Sequence, residues 1–168
     1  MKKTLLLITS ILIFVALSSF FLYRIAPTKD IRVGVSNYVL HKNTPYLIIN
    51  NERIDLLIAD NDVKKEIGLG NKKNIKENEG MLFIYSNKEV RYFWMKEMLF
   101  PLDIVWINDN KIIKIDKNLQ PEGTVPEKRY SSSYPANYVL ELNAGFCDAN
   151  KINVGDNVRY FLSPIDNL

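Results

Sequence analysis

Three charged side chains stand in segments that are otherwise apolar: Lys96 at the end of Arg91–Lys96, Asp103 within Leu102–Ile107, and Glu141 within Tyr138–Leu142. Alternate residues of an extended chain share a face, so Asp103 falls with Val105 and Ile107, and Glu141 falls with Val139. The opposite faces are apolar as well, which makes both segments central strands. A carboxylate there needs a partner, because an unpaired buried charge is very costly. Lys96 is the nearest cation in chain order. Two outcomes fit this pattern. In one, Lys96, Asp103 and Glu141 surround a polar pocket, with Tyr130 supplied by a long loop. Such a pocket binds a ligand, or serves a hydrolase-type enzyme in which Asp103 or Glu141 is acid or base beside Lys96. In the other, each carboxylate is a hydrogen-bonded clamp on a neighbouring loop.

The residues around Lys96 add an aromatic and thioether cluster of Phe93, Trp94, Met95 and Met98. Trp94 shares a face with Tyr92 and Lys96, and Phe93 shares one with Met95. Core packing with one aromatic rimming a cleft is the ordinary reading, and it makes Trp94 a ligand contact. Thioethers select Cu(I), but no second ligand class stands with Met81, Met95 and Met98. Ser131-Ser132-Ser133 invites a nucleophile reading that would need His41, or Lys96 as the base. A loop of turn formers explains the run more simply. Cys147, beside Phe146, reads as a small buried residue. The candidate ligand-binding set is therefore Trp94, Lys96, Asp103, Tyr130 and Glu141. No catalytic residue is assigned, and neither a metal nor a cofactor is expected.

Composition narrows the classes. The 168 residues are 47% hydrophobic and 24% charged, which fits a folded domain and not a disordered chain. Lys+Arg total 22 against 19 Asp+Glu. Setting aside Lys2 and Lys3 leaves 20 positive against 19 negative side chains, so no electrostatic case for nucleic acid exists. One cysteine excludes an internal disulfide and CxxC chemistry. One histidine excludes a multi-histidine metal site.

The elements that must position these residues lie behind an apolar N-terminus. Leu5 to Tyr23 carries no charge over 19 residues, with Lys2 and Lys3 before it and Arg24 after it. As a helix it spans roughly 28 Å, near the ~30 Å core of a bilayer. It reads as an uncleaved signal anchor that holds residues 24–168 outside the cytoplasm. The alternative is a secretory signal cut after Ser18, with Ala16 and Ser18 as the small residues of the site. Residues 1–24 are thus the anchor and 25–44 a linker, with a short strand at Asn37–Leu40. Residues 45–168 are a β-rich domain. Within it, Tyr46–Asn50 and Arg53–Ala59 flank a turn at Asn50-Asn51. Asp60-Asn61-Asp62 caps a short helix carrying Val63 and Ile67, which Gly68 and Gly70 end. Strands follow at Met81–Tyr85, Arg91–Lys96, Leu102–Ile107 and Lys111–Lys117, the last two joined at Asn108-Asp109-Asn110. Asn118–Asn137 has no periodicity and reads as a functional loop. Tyr138–Leu142, one or two helical turns in Ala144–Lys151, and a closing strand Asn157–Leu162 complete the chain. Seven to eight short strands with short connections imply antiparallel pairing in a compact barrel or sandwich with two short helices.

Gly80-Met81-Leu82-Phe83, Phe93-Trp94-Met95-Lys96, Pro101-Leu102-Asp103-Ile104, Tyr138-Val139-Leu140-Glu141-Leu142 with Ala144-Gly145, and Gly155-Asp156 follow one another in an order that resembles the domain of unknown function 192 family. The likeness runs from about Ile54 to Tyr160. It implies a small β-rich domain, often behind a signal or anchor segment, and no settled activity. The sequence departs from the family at two places. Glu97 and Met98 follow Lys96 where the family usually has Asn and Thr. Gly70-Asn71-Lys72 follow Gly68-Leu69 where it often has Met-Gly-Arg.

Overall fold

The structure is a computed structural model that describes residues 44–162. All of them belong to the second of two compact units, 41–168. The anchor, most of the linker, the strand at Asn37–Leu40 and His41 lie outside the described residues. No helix among the described residues is long and apolar enough to cross a membrane.

Apolar alternation builds a curled sheet. Its strands are β1 (Tyr46–Ile49), β2 (Glu52–Ala59), β3 (Glu79–Glu89), β5 (Leu102–Asn108), β6 (Lys111–Leu119), β8 (Ala136–Asn143) and β9 (Arg159–Phe161). Across the sheet the order is β6-β5-β8-β3-β2-β1-β9. A separate pair joins β4 (Tyr92–Phe93) to β7 (Tyr130–Ser131). Two short helices, α1 (Asp62–Ile67) and α2 (Phe146–Ala149), fill gaps between strands. The architecture is a half-barrel. Its free edge β6 meets the chain ahead of β9 through one bridge, Lys111 to Asn157, and through the Val158 N–H donating to the Asn110 carbonyl at 2.8 Å.

The pairing is antiparallel except between β2 and β3, which run parallel with Leu57 opposite Met81. Parallel neighbours need a crossover. Here α1 and residues 68–78 supply it. Asn61 caps α1, its side chain accepting from the Lys64 N–H at 3.0 Å. Val63 and Ile67, expected to mark a buried helix face, are 68% and 60% exposed instead. The helix sits on the rim, and Leu69 and Ile75 behind it do the covering.

Each face of the sheet carries its own core. Leu47, Ile49, Ile54, Leu56, Leu82, Val105, Ile107, Leu140 and Leu142 pack inside the curl, closed at one end by Phe146 and Cys147. Met81, Phe83, Ile104, Trp106 and Val139 line the outer face, under Leu69, Ile75, Met95 and Met98 from the loops.

Two expected elements change. Arg91–Lys96 is a strand only at Tyr92–Phe93, because β7 is its one partner in the small sheet and is itself two residues long. From Trp94 the chain turns into its loop. That loop holds Glu97 at a φ of +57°. The stretch 118–137, expected to lack regular structure, holds β7 and the end of β6.

Candidate functional site

Register decides which charged groups can meet. Leu142 lies opposite Asp103, and Glu141 lies opposite Ile104. Directly opposed residues share a face, so Asp103 is on the inner face and Glu141 on the outer one. The expected convergence of Lys96, Asp103 and Glu141 does not occur. Each strand alternates as its sequence implies, but the one-residue offset between strands sends the two carboxylates to opposite sides.

Asp103 is fully buried. Its carboxylate accepts from the backbone N–H groups of Asn118 at 2.9 Å, Gly145 at 3.2 Å and Cys147 at 3.0 Å. It ties the end of β6 and the first turn of α2 to β5. That is the loop clamp of the second reading, and Lys96 takes no part in it. Burial, helped by the adjacent Asp103 charge, pushes the Cys147 thiol above its usual range, so the lone cysteine is not a thiolate.

Glu141 is different. It is 5% exposed, and its Oε2 is buried with no hydrogen-bond partner. Desolvation raises its pKa to about 8, so at neutral pH the carboxyl keeps its proton. The group lines a cavity of about 360 Å³ together with Lys65 of α1, Leu69, Phe83 and Tyr85 of β3, Phe93 of β4, and Trp94, Lys96 and Met98. Phe83 and Phe93 meet edge to face at 4.8 Å between ring centres, and Phe93 meets Trp106 in the same way at 5.4 Å. The aromatic wall is therefore continuous with the outer core. At the mouth Trp94 is 44% and Tyr92 60% exposed. Lys65 and Arg91 lie 4.5 and 3.9 Å from the centre of the Tyr85 ring, and Arg129 sits near the Tyr92 and Trp94 rings. Burial raises the Tyr85 hydroxyl too, opposed by Arg91.

Backbone hydrogen bonds hold the wall in place. The Asn71 N–H donates to the Glu97 carbonyl at 2.9 Å, the Glu97 N–H to Gly123 at 2.6 Å, and the Glu122 N–H to Met95 at 3.1 Å. The crossover, the 94–100 loop and the long loop are thus stitched in series. Of the sequence candidates, Trp94, Lys96 and Glu141 line this cavity; Asp103 and Tyr130 are not among its lining residues. Tyr130 pairs with Phe93 in the small sheet and buttresses the wall from behind. Lys96 has no ion pair among the described residues. The serine run is also structural. The Ser132 hydroxyl accepts from the Arg91 N–H at 3.0 Å and donates to the Tyr134 carbonyl at 2.6 Å. Met81, Met95 and Met98 pack together in the outer core, and no group of three His, Cys, Asp or Glu fit to hold a metal occurs among the described residues. Sequence reasoning missed Tyr85, Phe83 and Lys65; the apolar run of β3 and the charges of α1 carried no sign that a crossover would bring them together.

A curled, mainly antiparallel half-barrel with a parallel crossover and one buried, unpartnered acid below an aromatic-walled cavity defines the class. The family model of domain of unknown function 192 (DUF192, uncharacterized ACR) matches residues 46–160, and the chain belongs to that family. A crystal structure from Sinorhizobium meliloti 1021, of a protein thought to be a transcription regulator, is 29% identical over 70% of this chain and 92% of that one, with a TM-score of 0.64. A protein of unknown function from Novosphingobium aromaticivorans DSM 12444 shares the fold at 24% identity, over 68% of this chain and 83% of that one, with a TM-score of 0.63. No curated protein matches the chain.

Proposed function

We propose that the chain is a membrane-anchored binding module whose domain, held outside the cytoplasm by residues 5–23, takes a small molecule or the side chain of a peptide or envelope partner in the cavity over Glu141. The observation that carries this reading is Oε2 of Glu141, a buried polar atom with no partner below an open cavity. Buried polar groups are ordinarily hydrogen-bonded, and an exception in a concave, aromatic-lined site is the usual mark of a place for a ligand. The exposed Trp94 and Tyr92 at the mouth give such a ligand an apolar surface to lie against.

The hydrolase reading loses support from the geometry, because Asp103 faces away and is occupied by three backbone N–H groups. Transcription regulation, suggested for the Sinorhizobium neighbour, finds little support in a charge balance of 20 positive against 19 negative side chains once Lys2 and Lys3 are set aside.

The test is a thermal-shift screen of small molecules against the full-length chain in mild detergent, beside Trp94→Ala and Glu141→Gln. A ligand that raises the melting temperature of wild type, and does so less for both variants, supports the reading. Shifts that persist unchanged in both variants place the ligand elsewhere and defeat it.

A further inference from the structure

We infer that the cavity over Glu141 takes an organic cation with N–H donors, a primary ammonium on a short apolar stem, whose charge meets the Glu141 carboxyl while the stem lies against Leu69, Phe83, Phe93 and Met98. This rests on the reading of the cavity as a binding site and gives that site its ligand class.

The first argument is charge. Burial raises the Glu141 pKa, and no cation among the described residues counters it. Yet cations are near. Lys65 and Lys96 line the cavity, and Arg91 lies over the Tyr85 ring. Arg91 is engaged with the Asn87 and Ala136 carbonyls as well. The ionisable groups facing the cavity are Lys65 and Glu66 from α1, Tyr85 from β3, Tyr92 from β4, and Lys96 and Glu97 from the following loop. Among the lining side chains the two ammonium groups and the two rim carboxylates cancel in number, while Arg91 and Arg129 are held over the Tyr85, Tyr92 and Trp94 rings. Ionised Glu141 therefore adds a buried negative charge that no lining side chain pairs with, and a monocation supplies its partner.

The second argument is chemical. A neutral amide or hydroxyl ligand would be met equally well by glutamine at position 141, with no ionisable group to desolvate. A carboxyl differs from glutamine in that it can become an anion. A charge-assisted hydrogen bond to that anion is roughly twice as strong as a neutral one. The proton balance is simple. The ammonium enters with its charge, Glu141 releases its proton to solvent, and an N–H donates to Oε2.

The third argument is the wall. Aromatic faces attract cations. The protein's own cations sit over Tyr85, Tyr92 and Trp94, and among the described contacts none sits over Phe83 or Phe93. At about 30 Å³ for each small heavy-atom group, the 360 Å³ cavity has room for an amine of roughly ten non-hydrogen atoms.

Phenethylammonium and its neutral analogue 2-phenylethanol are the probes, titrated calorimetrically into the full-length chain in mild detergent at pH 6, 7 and 8. Phenethylammonium should bind with up to one proton released, measured from two buffers of different ionisation enthalpy. Its affinity should rise about tenfold per pH unit below pH 8. The alcohol should bind more weakly and without pH dependence. Glu141→Gln should remove both the proton release and the preference for the ammonium. Should that variant fail to fold, proton release by wild type decides alone. Equal binding of both probes without proton release overturns the cation class and leaves the binding site standing. Binding of neither probe overturns the cation class, while the thermal-shift screen decides the binding site itself.

Discussion

Two buried acids in one chain behave oppositely because one has donors around it and the other has none. Asp103 is held by three backbone N–H groups. Asp103→Asn replaces one accepting oxygen with an amide NH2 that faces donors, and should cost on the order of 3 kcal/mol in a denaturant melt at pH 7. Glu141→Gln should give the reverse pattern. Up to about pH 8 the folded chain keeps a proton at Glu141 that the unfolded chain has released near pH 4.5. The stability contributed by the acid is therefore full below pH 4.5 and is lost as pH rises toward 8, at about 1.4 kcal/mol per pH unit. Glutamine resembles the protonated acid. The variant should match wild type in acid and exceed it at pH 8, and a constant difference across that range would contradict the desolvated state of Glu141. Strand alternation in the sequence is enough to predict that both acids are buried. It does not name their partners, since the donors to Asp103 include Gly145 and Cys147, which reach it only after β8 has been laid beside β5.

The elements that make the cavity are joined at two tight places. Gly80 of β3 packs so closely on β8 that a Cβ there would come within 2.8 Å of the Glu141 carbonyl and of a Leu142 methyl. The carbonyl belongs to the sheet ladder and cannot move aside. Gly80→Ala should cost about 1–3 kcal/mol and displace Glu141 with its strand, read as a lowered melting point. The second place is Glu97, a non-glycine residue in left-handed conformation at φ +57°. Asparagine tolerates that region better. Glu97→Asn should stabilise the chain by about 0.5–1 kcal/mol, and a loss of stability would show that the Glu97 side chain matters more than its backbone. Strand positions were legible because β1, β2, β5, β6 and β8 alternate or run apolar within clear turn residues. The parallel pairing of β2 and β3 was not, because periodicity says which face a strand buries and nothing of the direction of its neighbour. The cavity wall was hidden for that reason: α1 and Leu69 arrive beside Phe83 and Tyr85 only through the crossover.

At the scale of the molecule, the half-barrel follows from many short strands that need both faces covered, and the seven-stranded curl meets that expectation. The proposed anchor rests on residues 5–23 alone. Mass spectrometry of the membrane fraction should find these residues still attached, and a mature N-terminus at Ser19 would replace the anchor with a cleaved signal. One feature of the sheet also constrains how the domain comes into being. β1 is hydrogen-bonded to β2 on one side and to β9 on the other, with Tyr46 opposite Phe161 and their rings stacked at 4.5 Å. The first of the described strands to leave the ribosome thus waits for the last of them. Until residue 161 has emerged, the outer edge of β1 is a row of bare N–H and C=O groups, a template for pairing with another nascent copy. A chain stopped after Gly155 should be more protease-sensitive than the full chain and should self-associate more, which makes the interval between the synthesis of Ile49 and that of Arg159 the period in which a chaperone has something to protect.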